Sequence, residues 1–201
     1  MAAVYLAEIR NVQISGPYHL LGWSFGGYIA QEMAVQLQAA GEQVAALVVL
    51  DAYPLGSDEN IATVRGKAER QANLAEADNA SPLRPAPEFA GVAEQVRQER
   101  GVVLAAVSEA EIPAFARVMW NNEQLIHSHD PRSFEGDLLL IVADKTAPQD
   151  PVERWKPHVS GEILETRLAC THQEIAQPGM LAQAWDTIET WLSSKDERRA
   201  L

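Results

Sequence analysis

The sequence has few of the residues that cross-link chains, bind polyanions or cross membranes. It contains one cysteine, Cys170, so no internal disulfide can form and a reducing compartment, the cytoplasm, is expected. Lysine and arginine number 16 against 28 acidic residues, a net charge of −12. Without a basic patch or an apolar run of membrane-spanning length, neither nucleic acid nor a membrane is expected as a partner. The first residues lack the basic start and apolar core of a signal peptide.

The order of predicted elements indicates an α/β protein with a parallel sheet of about four strands. Strands are predicted at 18–23, 43–50, 137–143 and 162–169, and helices at 2–13, from 25 to about 40, and from Pro178 onwards. The run from Gln43 to Leu50 does not alternate, which is typical of a strand buried on both faces. The helical spacing predicts packing faces in the first and last helices: Tyr5, Ile9 and Val12, then Leu181, Ala184, Trp185, Ile188, Trp191 and Leu192.

A long insertion separates the second and third strands. Residues 52–136 exceed the length of an ordinary crossover and contain helical patterns around 58–77, 88–106 and 113–128. We interpret residues 56–135 as a helical lid within a single domain of residues 1–201, with a purely structural insertion as the alternative.

The turn after the first strand carries a Gly-x-Ser-x-Gly motif, Gly22-Trp23-Ser24-Phe25-Gly26. Between a strand and a helix this motif predicts a nucleophile elbow, in which a strained turn exposes the Ser24 hydroxyl. A Cβ atom at Gly22 or Gly26 is expected to clash with the chain. The backbone N–H of Phe25 is a candidate oxyanion donor. In the alternative interpretation, Ser24 only caps the helix.

Two further residues complete a candidate triad at the carboxyl ends of predicted strands. Ser24, Asp51 and His172 occur in the chain order of α/β-hydrolases, with His172 as general base and Asp51 as the group that orients it. Asp144 also follows a strand and is the alternative acid. The remaining histidines are expected to be solvated (His127, His129, His158) or structural (His19), and Cys170 to be a small strand residue. No metal-site spacing or phosphate-binding glycine loop is present, so no metal or bound cofactor is expected.

The motifs around Ser24 and Asp51 resemble those of the thioesterase domain that ends nonribosomal peptide synthetases. The resemblance rests on Gly-Pro-Tyr-His-Leu-Leu-Gly-Trp-Ser-Phe-Gly-Gly at 16–27 and Val-Val-Leu-Asp-Ala-Tyr-Pro at 48–54, and more weakly on Cys-Thr-His-Gln-Glu-Ile at 170–175. Trp23 resembles this group more than the editing thioesterases, which usually have histidine there. The resemblance implies an α/β-hydrolase fold with a helical lid, and it supports Asp51 as the acid.

The resemblance also implies a function. The chain would release an acyl or peptidyl chain from the phosphopantetheine thioester of a carrier protein, by hydrolysis or macrocyclisation through an acyl-Ser24 intermediate. The alternatives are an editing (type II) thioesterase or small-ester hydrolase, and a non-catalytic remnant that only docks a carrier protein.

The family carries strands and an oxyanion loop before the helix at 2–13. The resemblance therefore implies an N-terminally truncated sheet, with weak catalysis and an uncovered strand edge that is apolar on both faces.

Overall fold

The computed structural model describes residues 1–55, 108 and 110–199. Contacts divide the chain into two units, residues 1–54 with 130–201, and residues 55–129. The helical patterns predicted at 58–77 and 88–106 lie outside the described residues, and the lid interpretation stays a prediction. The pattern at 113–128 is confirmed as a helix of the second unit.

The predicted elements of the first unit are present with small changes at their ends. Its strands are β1 (Tyr18–Trp23), β2 (Val44–Leu50), β3 (Leu138–Ala143) and β4 (Ile163–Leu168). The α-helices among the described residues, numbered in chain order, are α1 (Ala2–Val12), α2 (Phe25–Ala39), α3 (Ile112–Ser128, in the second unit), α4 (Pro151–Trp155) and α5 (Pro178–Arg199). Single 3₁₀ turns occupy Lys156–His158 and Glu174–Ala176.

The four strands form one parallel sheet in the order β1-β2-β3-β4. All six residues of β3, and all of β2 except Val44, are buried. Because helices cover both faces, alternate residues of these strands enter different cores, which is why their sequences are apolar without alternation. The prediction of a parallel α/β sheet is confirmed.

Each face of the sheet has its own core. On one face α1 and α2 pack over β1, β2 and β3, and Trp155 of α4 is fully buried there. On the other face α5 packs over the alternate residues of β2 and β3 and over Leu168, through Ala184, Ile188 and Trp191. The result is a layer of helices, a sheet and a second layer of helices.

The predicted packing faces of the terminal helices are partly wrong. In α1 the buried residues are Ala2 and Leu6, while Tyr5 and Val12 are exposed. In α5, Leu181 and Trp185 are exposed, so the packing stripe is narrower than predicted. Both alternatives fit helical spacing, and the direction from which the neighbouring element approaches decides between them.

Burial in β1 alternates, unlike burial in β2 and β3. Tyr18, Leu20 and Gly22 are buried, whereas His19 and Leu21 are exposed. In the described part of the chain β1 is an edge strand, and α2 covers one of its faces. None of the helices in residues 1–55 and 110–199 combines the length and apolar character that crossing a bilayer requires.

Candidate active site

The candidate nucleophile lies in a one-residue turn between β1 and α2. β1 ends at Trp23 and α2 begins at Phe25, which leaves Ser24 between them with φ 53° and ψ −128°. A positive φ is unusual for a residue with a side chain. The Ser24 N–H donates a hydrogen bond of 3.0 Å to the carbonyl of Leu50 on the neighbouring strand, which holds the turn. The side chain of Ser24 makes no capping hydrogen bond to α2, so the alternative capping role is not what the structure shows.

The turn is tight at Gly22 but not at Gly26. A Cβ atom added to Gly22 would lie 2.1 Å from the carbonyl oxygen of Gly26, a backbone atom. At Gly26 an added Cβ meets no described atom within 4 Å, so the predicted clash there is wrong. The second close approach is at Gly27, where a Cβ would lie 2.8 Å from that of Ala52. Gly22 and Gly27 thus let β1, α2 and the chain after β2 come together.

The three candidate triad side chains meet at the carboxyl edge of the sheet. His172, in the turn beyond β4, has its Nε2 atom 2.9 Å from Ser24 Oγ and its Nδ1 atom 2.6 Å from Asp51 Oδ2. An ionised carboxylate only accepts hydrogen bonds, so Nδ1 carries the proton and Nε2 accepts from the serine hydroxyl. This arrangement can take a proton from Ser24 when the serine attacks a carbonyl.

Asp51 is a buried carboxylate with several donors. Its side chain is 4% exposed, and Oδ1 accepts hydrogen bonds from the Ala143 N–H, at 2.9 Å, and from the Tyr53 hydroxyl. Burial alone would raise the pKa of Asp51, but hydrogen bonds from His172, Tyr53 and Ala143 outweigh it and hold the pKa below its ordinary value. The carboxylate therefore remains charged beside the imidazole.

The alternative acid does not reach the histidine. Asp144 follows β3 and is exposed, and its Oδ1 atom lies 2.8 Å from Arg167 Nη1. Both ring nitrogens of His172 already face Asp51 and Ser24. Of the two acids considered from the sequence, the structure brings Asp51 to the site and leaves Asp144 in a surface ion pair.

The His172 turn is fixed by residues that the sequence interpretation missed. The His172 N–H donates to Thr146 Oγ1 at 2.9 Å, and Lys145 pairs with Glu174 at 3.3 Å. Trp23 stacks on the imidazole, with ring centroids 5.3 Å apart. Thr146 and Lys145 lie just beyond β3, and a polar cluster at a strand end is the only sequence signal they offer.

The Phe25 N–H is the first backbone donor after the candidate nucleophile along the chain. It belongs to the first residue of α2, ahead of the first intrahelical hydrogen bond, and no hydrogen bond among the described residues uses it. The positive end of the helix dipole favours negative charge at this point. The assignment of Phe25 stays a prediction.

The remaining candidates lie away from these contacts. His158 is half-buried and its Nδ1 atom lies 2.7 Å from the Pro131 carbonyl oxygen, while His127 and His129 are also half-buried, so the expectation of solvated rings is wrong. His19 is exposed on β1. Cys170 lies beyond the end of β4 rather than in it, and burial together with the charge of Asp51 raises the pKa of its thiol. A protonated thiol is a poor nucleophile.

Comparisons with known proteins give the family. The model of the thioesterase domain matches residues 1–192. A dimodular nonribosomal peptide synthase of Bacillus subtilis (strain 168) is 35% identical over 196 residues, which cover 91% of this chain and 8% of the synthase. Enterobactin synthase component F of Escherichia coli (strain K12) is 30% identical over 195 residues, which cover 94% of this chain and 14% of that protein. The chain thus spans a small part of these relatives.

Solved structures give the fold. The NocB thioesterase domain, in covalent complex with a fluorophosphonate nocardicin G analog, matches with a TM-score of 0.61 at 22% identity, over 94% of this chain and 72% of that one. Human thioesterase 2 matches with a TM-score of 0.63 at 16% identity, over 96% of this chain and 81% of that one.

These neighbours and the helix-covered parallel sheet place the chain in the α/β-hydrolase fold class. Within that class the chain belongs to the thioesterase domain family, and its enzymatic class is thioester hydrolysis. The resemblance drawn from the motifs is confirmed at this level.

Proposed function

We propose that this thioesterase releases an acyl or peptidyl chain from the phosphopantetheine thioester of a carrier protein, with Ser24 as nucleophile. The observation that carries the proposal is the continuous hydrogen-bonded chain from Ser24 Oγ through His172 to Asp51. The relative that is named a dimodular nonribosomal peptide synthase supports the carrier protein as partner and an acyl or peptidyl group as substrate.

The reaction has two steps. In the first, Ser24 Oγ attacks the thioester carbonyl while His172 Nε2 takes the hydroxyl proton, and the negative charge that forms on the carbonyl oxygen is held by the Phe25 N–H. The C–S bond then breaks, and His172 returns the proton to the departing thiolate. In the second step, water or a nucleophile on the bound chain attacks the acyl-Ser24 carbonyl and gives its proton to His172. Ser24 recovers its proton as the product leaves.

Asp51 keeps the imidazole oriented in both steps. Its buried charge favours the proton on Nδ1 before attack and stabilises the imidazolium afterwards. This role requires an acid whose contact with His172 excludes water, which the 4% exposure of the Asp51 side chain provides.

Covalent labelling tests the proposal directly. A fluorophosphonate probe is expected to label the protein and to leave Ser24→Ala unlabelled, whereas Ser15→Ala, which removes an exposed serine hydroxyl, should label at the wild-type rate. Labelling that persists in Ser24→Ala contradicts the role of Ser24 as the nucleophile. No labelling of the folded wild type contradicts catalysis and favours a protein that only docks a carrier.

A second measurement separates a thioesterase from a general ester hydrolase. Rates on an acyl-pantetheine thioester are expected to exceed those on the ethyl ester of the same acyl group. Equal or reversed rates would indicate a general ester hydrolase.

A further inference from the structure

The chain after β2 turns back on itself, so that the side chain of Tyr53 contacts the candidate acid, Asp51. Asp51 has φ 47°, and this turn lets the Tyr53 hydroxyl donate to Oδ1 of the carboxylate two residues earlier. The backbone of the same segment is held from two sides. The Trp155 indole N–H donates to the Ala52 carbonyl at 2.8 Å, and the Tyr28 hydroxyl donates to the Tyr53 carbonyl. These two hydrogen bonds hold the backbone of Ala52 and Tyr53 in the position from which the Tyr53 hydroxyl reaches Asp51.

The contacts divide between the two oxygens of the Asp51 carboxylate. Oδ1 accepts from the Ala143 N–H and the Tyr53 hydroxyl, and Oδ2 accepts from His172 Nδ1. With one donor on Oδ1 instead of two, rotation of the carboxylate about its Cβ–Cγ bond would be less restrained. Two donors from different directions fix the plane of the group and therefore the direction in which Oδ2 points.

We propose that Tyr53 is a positioning residue for the thioesterase reaction, whose hydroxyl orients Asp51 toward His172 and sets how strongly the carboxylate binds the imidazolium. The inference rests on the proposed function of the Ser24–His172–Asp51 chain. The structure gives Tyr53 a role through Asp51 alone, since its hydroxyl is committed to Oδ1.

The Tyr53 hydroxyl keeps its proton in the folded protein and is therefore available as a donor. Burial, followed by the hydrogen bond to Asp51 and its negative charge, raises the pKa of Tyr53 far above the ordinary value. Tyr53 therefore stays protonated, and its hydroxyl remains a donor to Asp51.

Tyr53→Phe removes the donor and leaves the ring. Without it the carboxylate turns more freely, so Ser24 labelling by a fluorophosphonate probe should slow about tenfold, as expected for a lost hydrogen bond to a charged group. A carboxylate with one donor fewer also binds the imidazolium more strongly. The acid limb of the rate–pH profile should therefore move to higher pH.

The matched control is Tyr18→Phe. Tyr18 is a buried tyrosine at the opposite end of β1 whose hydroxyl donates to the Gln13 carbonyl at 3.0 Å. Its loss should lower the melting temperature without moving the acid limb, because it touches neither His172 nor Asp51. A second variant, Tyr53→3-fluorotyrosine, keeps the shape and has a more acidic hydroxyl that donates more strongly. Its acid limb should move to lower pH, opposite to that of Tyr53→Phe.

The outcomes separate this inference from the proposed function. If the wild type labels at Ser24 and the acid limb stays in place in both Tyr53 variants, Tyr53 is not a positioning residue although the function stands. An equal shift in Tyr18→Phe would also overturn the inference, since it would show a general structural effect. If Tyr53→Phe does not fold, the direction of the fluorotyrosine shift decides. Absence of Ser24-dependent labelling in the wild type would instead refute the proposed function.

Discussion

Replacing Asp51 by asparagine tests how the site sets the protonation state of His172. Oδ1 accepts from two donors, the Ala143 N–H and the Tyr53 hydroxyl, so the amide oxygen of Asp51→Asn should take that position. Its NH₂ group then faces Nδ1, which must accept rather than donate. The proton of the neutral imidazole moves to Nε2, where it points at Ser24 and prevents His172 from acting as a base.

The size of the loss can be worked from these contacts. Turning the amide to restore the useful tautomer breaks two hydrogen bonds of about 1 kcal/mol each, so about one molecule in thirty would retain it. Loss of the buried charge removes a further 1.5–3 kcal/mol or so from the developing imidazolium, roughly a factor of ten to a hundred and fifty. The product is a fall of about 3 × 10² to 5 × 10³, somewhat smaller than the ~10⁴ of the corresponding change in a serine protease.

The assay compares Asp51→Asn with Asp144→Asn. Ser24 labelling rates and turnover of an acyl-pantetheine thioester are measured for both, with thermal unfolding as a check on folding. Asp144→Asn removes only an exposed ion pair with Arg167, so its rate should stay within about twofold of wild type. A folded Asp51→Asn that keeps more than a tenth of the wild-type rate, or a larger loss in Asp144→Asn, would refute the assignment.

Two further predictions concern stability. Gly22→Ala places a Cβ 2.1 Å from the backbone oxygen of Gly26, and should lower the free energy of unfolding by more than about 3 kcal/mol in urea titrations, whereas Gly26→Ala, which meets no described atom within 4 Å, should not lower it. The pKa of Asp51 is lowered in the folded protein, so its contribution is full above the unfolded value of about 4 and is lost as pH falls through the lower folded value. The stability difference between wild type and Asp51→Asn should therefore shrink below pH ~4, and a difference that grows there would contradict the depressed pKa.

The fold was predictable where burial on both faces of a strand allows only one sequence pattern. β2 and β3 are apolar without alternation because both of their faces are covered. The uninterrupted apolar run is visible in the sequence, so these two strands could be predicted from it. The faces of α1 were not predictable in the same way. Ala2, Leu6 and Ile9 fit helical spacing as well as Tyr5, Ile9 and Val12, and only the position of the neighbouring helix separates them.

The site was predictable as a set of residue types at strand ends, but not as a geometry. Asp51 and Asp144 both follow strands whose carboxyl ends share one edge, so motif order favoured Asp51 without excluding Asp144. Tyr53 carried no signal of its own, since its approach to Asp51 depends on a positive φ that the sequence does not reveal for an aspartate. Gly26 was misjudged because the motif does not show which glycine the backbone approaches.

Ser24 and Asp51 both have a positive φ although neither is glycine, and they follow adjacent strands. Such conformations cost of order 1–3 kcal/mol each, and here the hydrogen bonds from Ser24 to β2 and from Asp51 to β3 maintain them. Selection for thermostability alone would therefore favour glycine at Ser24, whereas the Asp51 carboxylate offsets its own backbone cost through hydrogen bonds with His172, Tyr53 and Ala143. Thermostability engineering of this domain therefore has to hold Ser24 constant, and in a duplicated copy released from catalytic selection drift to glycine at this position would raise stability.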